Sequence, residues 1–461
     1  MRPFIKKTPR AFIRVLTGVV ALLALTGTAV STAAAQQAVQ ESVRKNDGGL
    51  FAVLEHVHQT HPRLAAERAG LEKADAYIRE QKGELLPTLS ARASATSSLT
   101  EPGAFGSLNG ETGDVGFELS QPLYRGGSTM ARIREAEDFS EAQSERYRRV
   151  ENDVLLEAVQ AHIALVRDDE HVRLREKNIT NLEKHLESEN TRFDLGANTA
   201  TDVNQAKARL AAARAEAQRA RGNLAASVAD YVRVSGRQPP DISGISLPQA
   251  VLADHLPSLA TLETALAAAG KISPDILAAQ LEESANRQAQ RAIKGEYYPA
   301  VTLTGQAQRT YKPVFAPGID YQDQSRIVLE ASIPLYKGGR TTARLNQARH
   351  DGNKLRMETL DTAREVTRRV TTAWENLQAA KAEADARQVQ VDAEALALDG
   401  ARAEFTLGGR TSLDVLDAEQ EKLDAELALL SARHDVILAE FDLLAATGQM
   451  TWDVLHTALQ H

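Results

Sequence analysis

The chain has no cysteine. That excludes disulfides, thiolate metal sites, a cysteine nucleophile and a lipidated N-terminal cysteine, so stability has to come from packing and assembly. Aromatic residues are scarce at 5%. Together with Ala-rich, charged segments, this points to extended helix rather than to the two or three ordinary domains that the length suggests. Long apolar runs are missing beyond the N-terminus, so any further membrane contact must come from β-strands, whose sequence signal is weak. There is no basic excess either: the net charge of −8 gives no overall field to attract nucleic acid. No nucleophile with its base, and no metal set, can be assembled at reasonable spacing. The reading is therefore not an enzyme, with no cofactor and no structural metal.

At the N-terminus stand Arg2, Lys6, Lys7, Arg10 and Arg14, then an apolar run from Val15 to Val30, then Ala33-Ala34-Ala35-Gln36. This reads as a secretory signal over 1–35, because the run is short of the roughly 20 residues that span hydrocarbon. Cleavage after Ala35 removes five cations and no acids, taking the charge from −8 to −13. Residues 36–49 form an N-terminal segment.

The remainder is one unit written twice. An offset of 212 residues aligns the chain with itself without a gap over some 160 positions. Lys82-Gly83-Glu84 falls on Lys294-Gly295-Glu296, and Pro122-Leu123-Tyr124 with Gly126-Gly127 falls on Pro334-Leu335-Tyr336 with Gly338-Gly339. Leu195-Gly196, Thr199 and Asp202-Val203 fall on Leu407-Gly408, Thr411 and Asp414-Val415. The period is too long for a solenoid repeat.

Within each copy the apolar period changes from 2 to 3.5 and back. Leu89, Ala91, Ala93 and Ala95 alternate with Ser90, Arg92, Ser94 and Thr96, and Val115, Phe117 and Leu119 alternate with Asp114 and Glu118. The pattern predicts a β-hairpin at about 87–124 and a second at about 299–336. Pro122 and Pro334 are expected to end the ladder, and the paired glycines to swing strand into helix. In the first repeat, 50–236, helices are expected at about 50–86, 127–190 and 199–235. In the second, 262–448, they are expected at about 262–298, 339–405 and 411–447. Residues 237–261, with four prolines, read as an equatorial linker, and 449–461 as a C-terminal tail. Leu416, Leu423, Leu427, Leu430, Ile437, Phe441 and Leu444 make a heptad seam. Since both strands of a hairpin return to one side, the two shorter helices of a repeat should stack end to end beside its long one. Two exposed hairpins on a soluble protein are the bland alternative; strands of about ten residues suit a tilted bilayer span better. Four strands cannot close a barrel, so several chains must pool them.

Over nearly the whole mature chain the sequence resembles the TolC family of outer-membrane factors. The resemblance is carried by Gln121-Pro122-Leu123-Tyr124-Arg125-Gly126-Gly127 with its copy, and by the segment from Phe405 through Gly408-Gly409-Arg410-Thr411 to Asp417. It implies a mainly α fold with a transmembrane β-barrel portion: a homotrimer in outer-membrane lipid, whose twelve-stranded barrel takes four strands per chain. It also implies a periplasmic α-barrel docked through an adaptor (membrane fusion) protein to an inner-membrane pump of ABC or RND type, as in tripartite efflux or type I secretion. The competing reading is a trimeric coiled-coil structural protein or adhesin of the cell surface.

By the same resemblance the helix tips at Gly196 and at Gly408-Gly409 form a periplasmic gate. Asp414 and Asp417 would each give a ring of three carboxylates, able to bind multivalent cations that block flow. Arg410 would bond Thr201 or its neighbourhood on an adjoining helix, and Asp202 would pair with residue 405. Position 405 is Phe, which lacks the hydroxyl of the family's tyrosine and leaves more of the closure to Arg410. Capping is a second role open to Asp202 and Asp414, each three residues after a Thr. His56, His58 and His61 do not share a helical face and read as surface histidines.

Overall fold

The computed structural model describes residues 49–100, 108–239, 259–312 and 318–459. The expected signal segment lies outside these residues, as does most of the linker. The rest follows the duplication. Helices α1 (Leu50–Thr60) and α2 (Pro62–Gly83) lead into strands β1 (Thr88–Thr100) and β2 (Leu108–Arg125), then α3 (Ser128–Asp194) and α4 (Ala200–Ser235). The second copy supplies α5 (Leu262–Ile272), α6 (Pro274–Gly295), β3 (Ala300–Tyr311), β4 (Tyr321–Ser332), α7 (Arg340–Thr406) and α8 (Ser412–Ala446), followed by α9 (Trp452–Leu459).

Each long helix has 67 residues, about 100 Å at 1.5 Å per residue. Helices α2 and α4 both pack along α3, and α6 and α8 along α7, which is the stacking that the length argument requires. Helix α6 also packs on α3, joining the repeats. On α3, Val150, Val154, Ala158, Ala161 and Leu165 form a buried stripe, and Leu416, Leu423, Leu427, Phe441 and Leu444 of the seam are buried as well, while Leu430 and Ile437 are half-buried.

Three local expectations change. Where one helix was expected over about 50–86, and again over about 262–298, the structure has two. The breaks fall at His61 (φ −66°, ψ 128°) and Ser273 (φ −55°, ψ 120°), each before a proline that opens the next helix. A residue before proline is pushed out of the helical region, while proline itself suits the first helical position. Pro122 does not end the ladder. It pairs with Thr302 at an irregularity, and pairing resumes at Tyr124 and runs to Arg125; β4, by contrast, stops just before Pro334. The histidines are not surface groups. His61 is buried and accepts the Arg63 N–H in capping α2, and half-buried His58 stacks on Trp452 and lies 3.1 Å from Glu151. Trp452 belongs to α9, which folds the expected tail back onto α1 through Phe51 (ring centroids 5.3 Å apart).

Candidate functional site

The four strands form one antiparallel sheet in the order β1-β2-β3-β4. Its register sorts most side chains by face, the Arg309–Asp323 pair at the loop end and Gln121 at the helix end being polar groups on the apolar side. Leu89 lies opposite Leu119, Phe117 opposite Ala307, and Leu303 opposite Leu329, all on one side. On the other side Asp114 accepts hydrogen bonds from Ser94 (3.2 Å), Gln308 (2.9 Å) and Thr310 (2.7 Å), and Glu118 accepts one from Gln306 (3.0 Å). Among the described residues nothing covers the apolar side: Ile327 is 82% exposed and Leu89 71%. A contiguous apolar face of this kind marks an interaction surface rather than a solvated one.

Tyrosines bracket it. Tyr311 and Tyr321 pair at the loop end, and Tyr124, Tyr297, Tyr298 and Tyr336 ring the helix end, all exposed. Just inside the first pair, Arg309 makes a two-pronged bond to Asp323 (2.6 and 2.7 Å) with its guanidinium 4.5 Å from the Tyr321 ring. The 12 residues of β3 extend about 40 Å, or about 30 Å of thickness at a tilt near 40°, which is a hydrocarbon core. Aromatic belts at both interfaces are the pattern of membrane barrels. Among the described residues no helix is long and apolar enough to cross a membrane.

At the far end lie two helix tips. The chain reverses at Gly196 (φ +75°) and Gly408 (φ +80°), with Gly409 beside the latter. Thr199 and Asp202 form a reciprocal capping box, the Asp202 carboxylate taking the Thr199 N–H (2.9 Å) and hydroxyl (2.7 Å); Thr411 and Asp414 repeat it at 2.8 and 2.7 Å. Hydrogen bonds from the Thr199 hydroxyl and N–H hold Asp202 below the ordinary carboxylate range, and those from the Thr411 N–H and hydroxyl do the same for Asp414. Arg410 donates to Glu404 of its own hairpin (2.6 Å), which makes its cation still harder to discharge.

Near the tips, several contacts cross between the hairpins. Asp417 pairs with Arg209 of α4. The Ser412 hydroxyl donates to Glu189 of α3 (2.8 Å) and lies 3.0 Å from His185 Nε2. Glu189 is buried, with its other oxygen on Asn198. Arg192 sits 4.7 Å over the Phe405 ring, and Leu416 packs with Leu182, Leu210 and Ala213.

The family model for outer membrane efflux proteins matches residues 53–237 and 265–449, two segments separated by the same 212-residue offset. The chain belongs to the outer membrane efflux protein family. The outer membrane efflux protein BepC of Brucella suis biovar 1 (strain 1330) is 31% identical over 408 residues, covering 88% of this chain and 86% of that protein. The outer membrane protein TolC of Escherichia coli (strain K12) is 23% identical over 411 residues, covering 87% and 82%. Among solved structures, the outer-membrane channel OprN superposes with a TM-score of 0.75 at 21% identity, over 87% of this chain and 90% of that one, and shows the fold. The protein is thus an outer-membrane efflux channel, a transport duct without enzymatic chemistry.

The structure sets the expected gate residues at the tip end of the helices. Within one chain Asp202 bonds Thr199, Arg410 bonds Glu404, and Thr201 is exposed on the first turn of α4. Phe405 is half-buried against Leu398, Ala401, Val415 and Ala418. Gly126 and Gly127 (φ +62°, +75°) and Gly338 and Gly339 (φ +61°, +74°) adopt left-handed conformations just before α3 and α7. Missed were the tyrosine belts and the Glu189–Ser412–His185 group. The belts could have been found by marking tyrosines at strand ends; the polar group joins residues 223 apart and leaves no local signal.

Proposed function

We propose that three copies of this chain make one duct. Each lends four strands to a twelve-stranded barrel in the outer membrane, and the paired helices continue it as a periplasmic tunnel. Residues 1–35 act as the export signal. The duct is passive; a periplasmic adaptor protein docks its tips to an inner-membrane pump of ABC or RND type, in efflux or type I secretion. The observation that carries this reading is the sheet, whose apolar face is exposed between tyrosine belts and whose outer strands each have one unpaired edge. Four strands cannot close on themselves, and an open edge in lipid is costly, so the edges must meet in other copies.

The gate belongs to the same reading. Thr201, Asp202, Phe405, Arg410, Asp414 and Asp417 control the periplasmic end, with Asp414 and Asp417 forming carboxylate rings around the axis. Because Asp417 is already partnered by Arg209, Asp414 contributes more of the cation attraction. Membrane fractionation should place the protein in the outer membrane as a heat-sensitive oligomer, and planar bilayers should show discrete current blocked by divalent cations. Asp414→Ala with Asp417→Ala should abolish the block. Unchanged block would remove the gate assignment, and absence of current would remove the duct.

A further inference from the structure

We infer that His171 of α3 and His434 of α8 form an acid-sensitive release between the two helical hairpins, so that protons taken up at this contact part the hairpins and open the periplasmic end. This rests on the duct proposed above and adds a control by pH.

The place of the pair gives it leverage. Helices α3 and α4 are tied at Gly196, and α7 and α8 at Gly408, so neither hairpin can come apart at its own tip. Helix α8 also packs along α3, and there no turn joins the two at the tip end. A repulsion between α3 and α8 therefore acts on a contact that is free to widen. His171 stands 18 residues before Glu189, about 27 Å along the helix from the Glu189–Ser412 bond. The duplication shows that the scaffold does not need these groups. Asp168, His171, Ser431 and His434 correspond, 212 residues away, to Ala380, Glu383, Arg219 and Gly222, so helices of the same kind are built without them.

Added protons find no free acceptor at this contact. The Ser431 hydroxyl donates to the Leu427 carbonyl (3.1 Å), which leaves its oxygen to accept from His171 Nε2 (3.3 Å). His434, 3% exposed, has Nδ1 2.6 Å from the Leu430 carbonyl, an atom that can only accept. The hydrogen is therefore on Nδ1, and Nε2 is buried without a partner among the described residues. A further proton on His434 has to enter there. Asp168, a buried carboxylate beside the pair, is committed to Arg167 of its own helix (2.9 Å) and to Ser227 of α4. The surrounding charges are engaged as well: Arg173 with Asp169 and Glu170 on α3, Arg221 of α4 with Glu176, Arg233 with Asp230 on α4, and Arg387 with Glu383 on α7. Arg433 of α8 turns to Gln388 of α7 (2.7 Å), and Asp435 is exposed. Burial first, then Arg167, hold His171 below the ordinary imidazole range, with Asp168 opposing and Arg175 and His434 adding to the effect. Once the hairpins part, the imidazole returns to about 6.5, so the parted state takes the proton first as pH falls and acid favours it; above about pH 6.5 neither state is protonated and the contact stays closed.

The test is single-channel current through the full chain in planar bilayers, with the pH on the tip side taken from about 7.5 to about 5.5. The open fraction of the parent should rise at least about fivefold. His171→Gln with His434→Gln should remove the rise, whereas His162→Phe, which alters a core histidine beside Tyr231 of α4, should keep it. His171→Lys carries its charge throughout and should open the channel without acid. Position is read separately: spin labels on Leu195→Cys and Leu407→Cys, both exposed at the tips of a cysteine-free chain, should move apart in acid in the parent and stay together in the double glutamine variant. A parent indifferent to pH, an acid response that survives the double variant or is lost in His162→Phe, or a closed His171→Lys channel overturns the release and leaves the duct standing. A parent that passes no current at any pH removes the duct; the labels then decide the release, and tips that stay together in acid overturn it too.

Discussion

The two long helices, α3 and α7, have equal length and equal place in their repeats, yet 22 residues of α3 are buried and only nine of α7. Their local geometry, in contrast, repeats closely: the corner glycines differ by one degree in φ, and the two tip caps by 0.1 Å in the Thr N–H to Asp bond. What the chain writes in short windows is therefore duplicated, whereas what depends on neighbours is not. Helix α3 is enclosed by α1, α2, α4, α6 and α8, and α7 by α5, α6 and α8.

The largest effect should come from the enclosed side. His162 of α3 is 1% exposed, beside Tyr231 at 6.3 Å between ring centroids, and its counterpart in α7 is Trp374. Burial lowers the imidazole from 6.5 to about 4. Above pH about 6.5 neither the folded nor the unfolded chain binds the proton there. Between about 6.5 and 4 only the unfolded chain does, so stability falls with pH, and below about 4 the loss levels at about 3 kcal/mol. The thermal midpoint of the purified protein should therefore drop as pH falls from 7 to 4, and His162→Phe should remove that part of the drop. An identical profile in the variant would show that the core histidine is not what acid acts on.

An intermediate effect is expected where the two repeats touch at their tips. Ser412→Val removes the hydroxyl that donates to buried Glu189 and leaves that carboxylate one donor short. A hydrogen bond to a charged group is worth about 1.5–3 kcal/mol, so the tips should separate more easily. The reading is current through single channels: openings should be more frequent in Ser412→Val than in Ser412→Thr, which keeps the hydroxyl. Equal behaviour of the two would assign closure to Arg209–Asp417 and Arg192–Phe405 instead.

The same division between local and distant explains what could be read in advance. Strand alternation, the tip turns and the corner glycines are each written within a dozen residues, and the heptad seam within the single helix α8, where Leu416, Leu423, Leu427, Phe441 and Leu444 are buried. The helix breaks at Pro62 and Pro274 were also local, but the apolar period runs through them and hid the proline signal. The fold-back of α9, the packing of His58 and the partners of Glu189 and Asp417 link residues far apart, so no window contains them. Pro122 shows the limit within a sheet: its missing N–H suggests a ladder end, and only the facing strand reveals an irregularity that the ladder passes through.

The smallest effect should also be the most symmetric. Thr199 and Thr411 cap α4 and α8 with the same bonds, so Thr199→Ala and Thr411→Ala should each cost about 1 kcal/mol, the usual price of an N-cap. Because each cap is made inside its own hairpin, equal shifts in denaturant midpoint are expected despite the unequal burial of α3 and α7. A distinctly larger loss at Thr411 would mean that its cap also orders the neighbouring Ser412 against Glu189. In that case local and distant terms meet at that tip, and the division between them holds only for repeat 1.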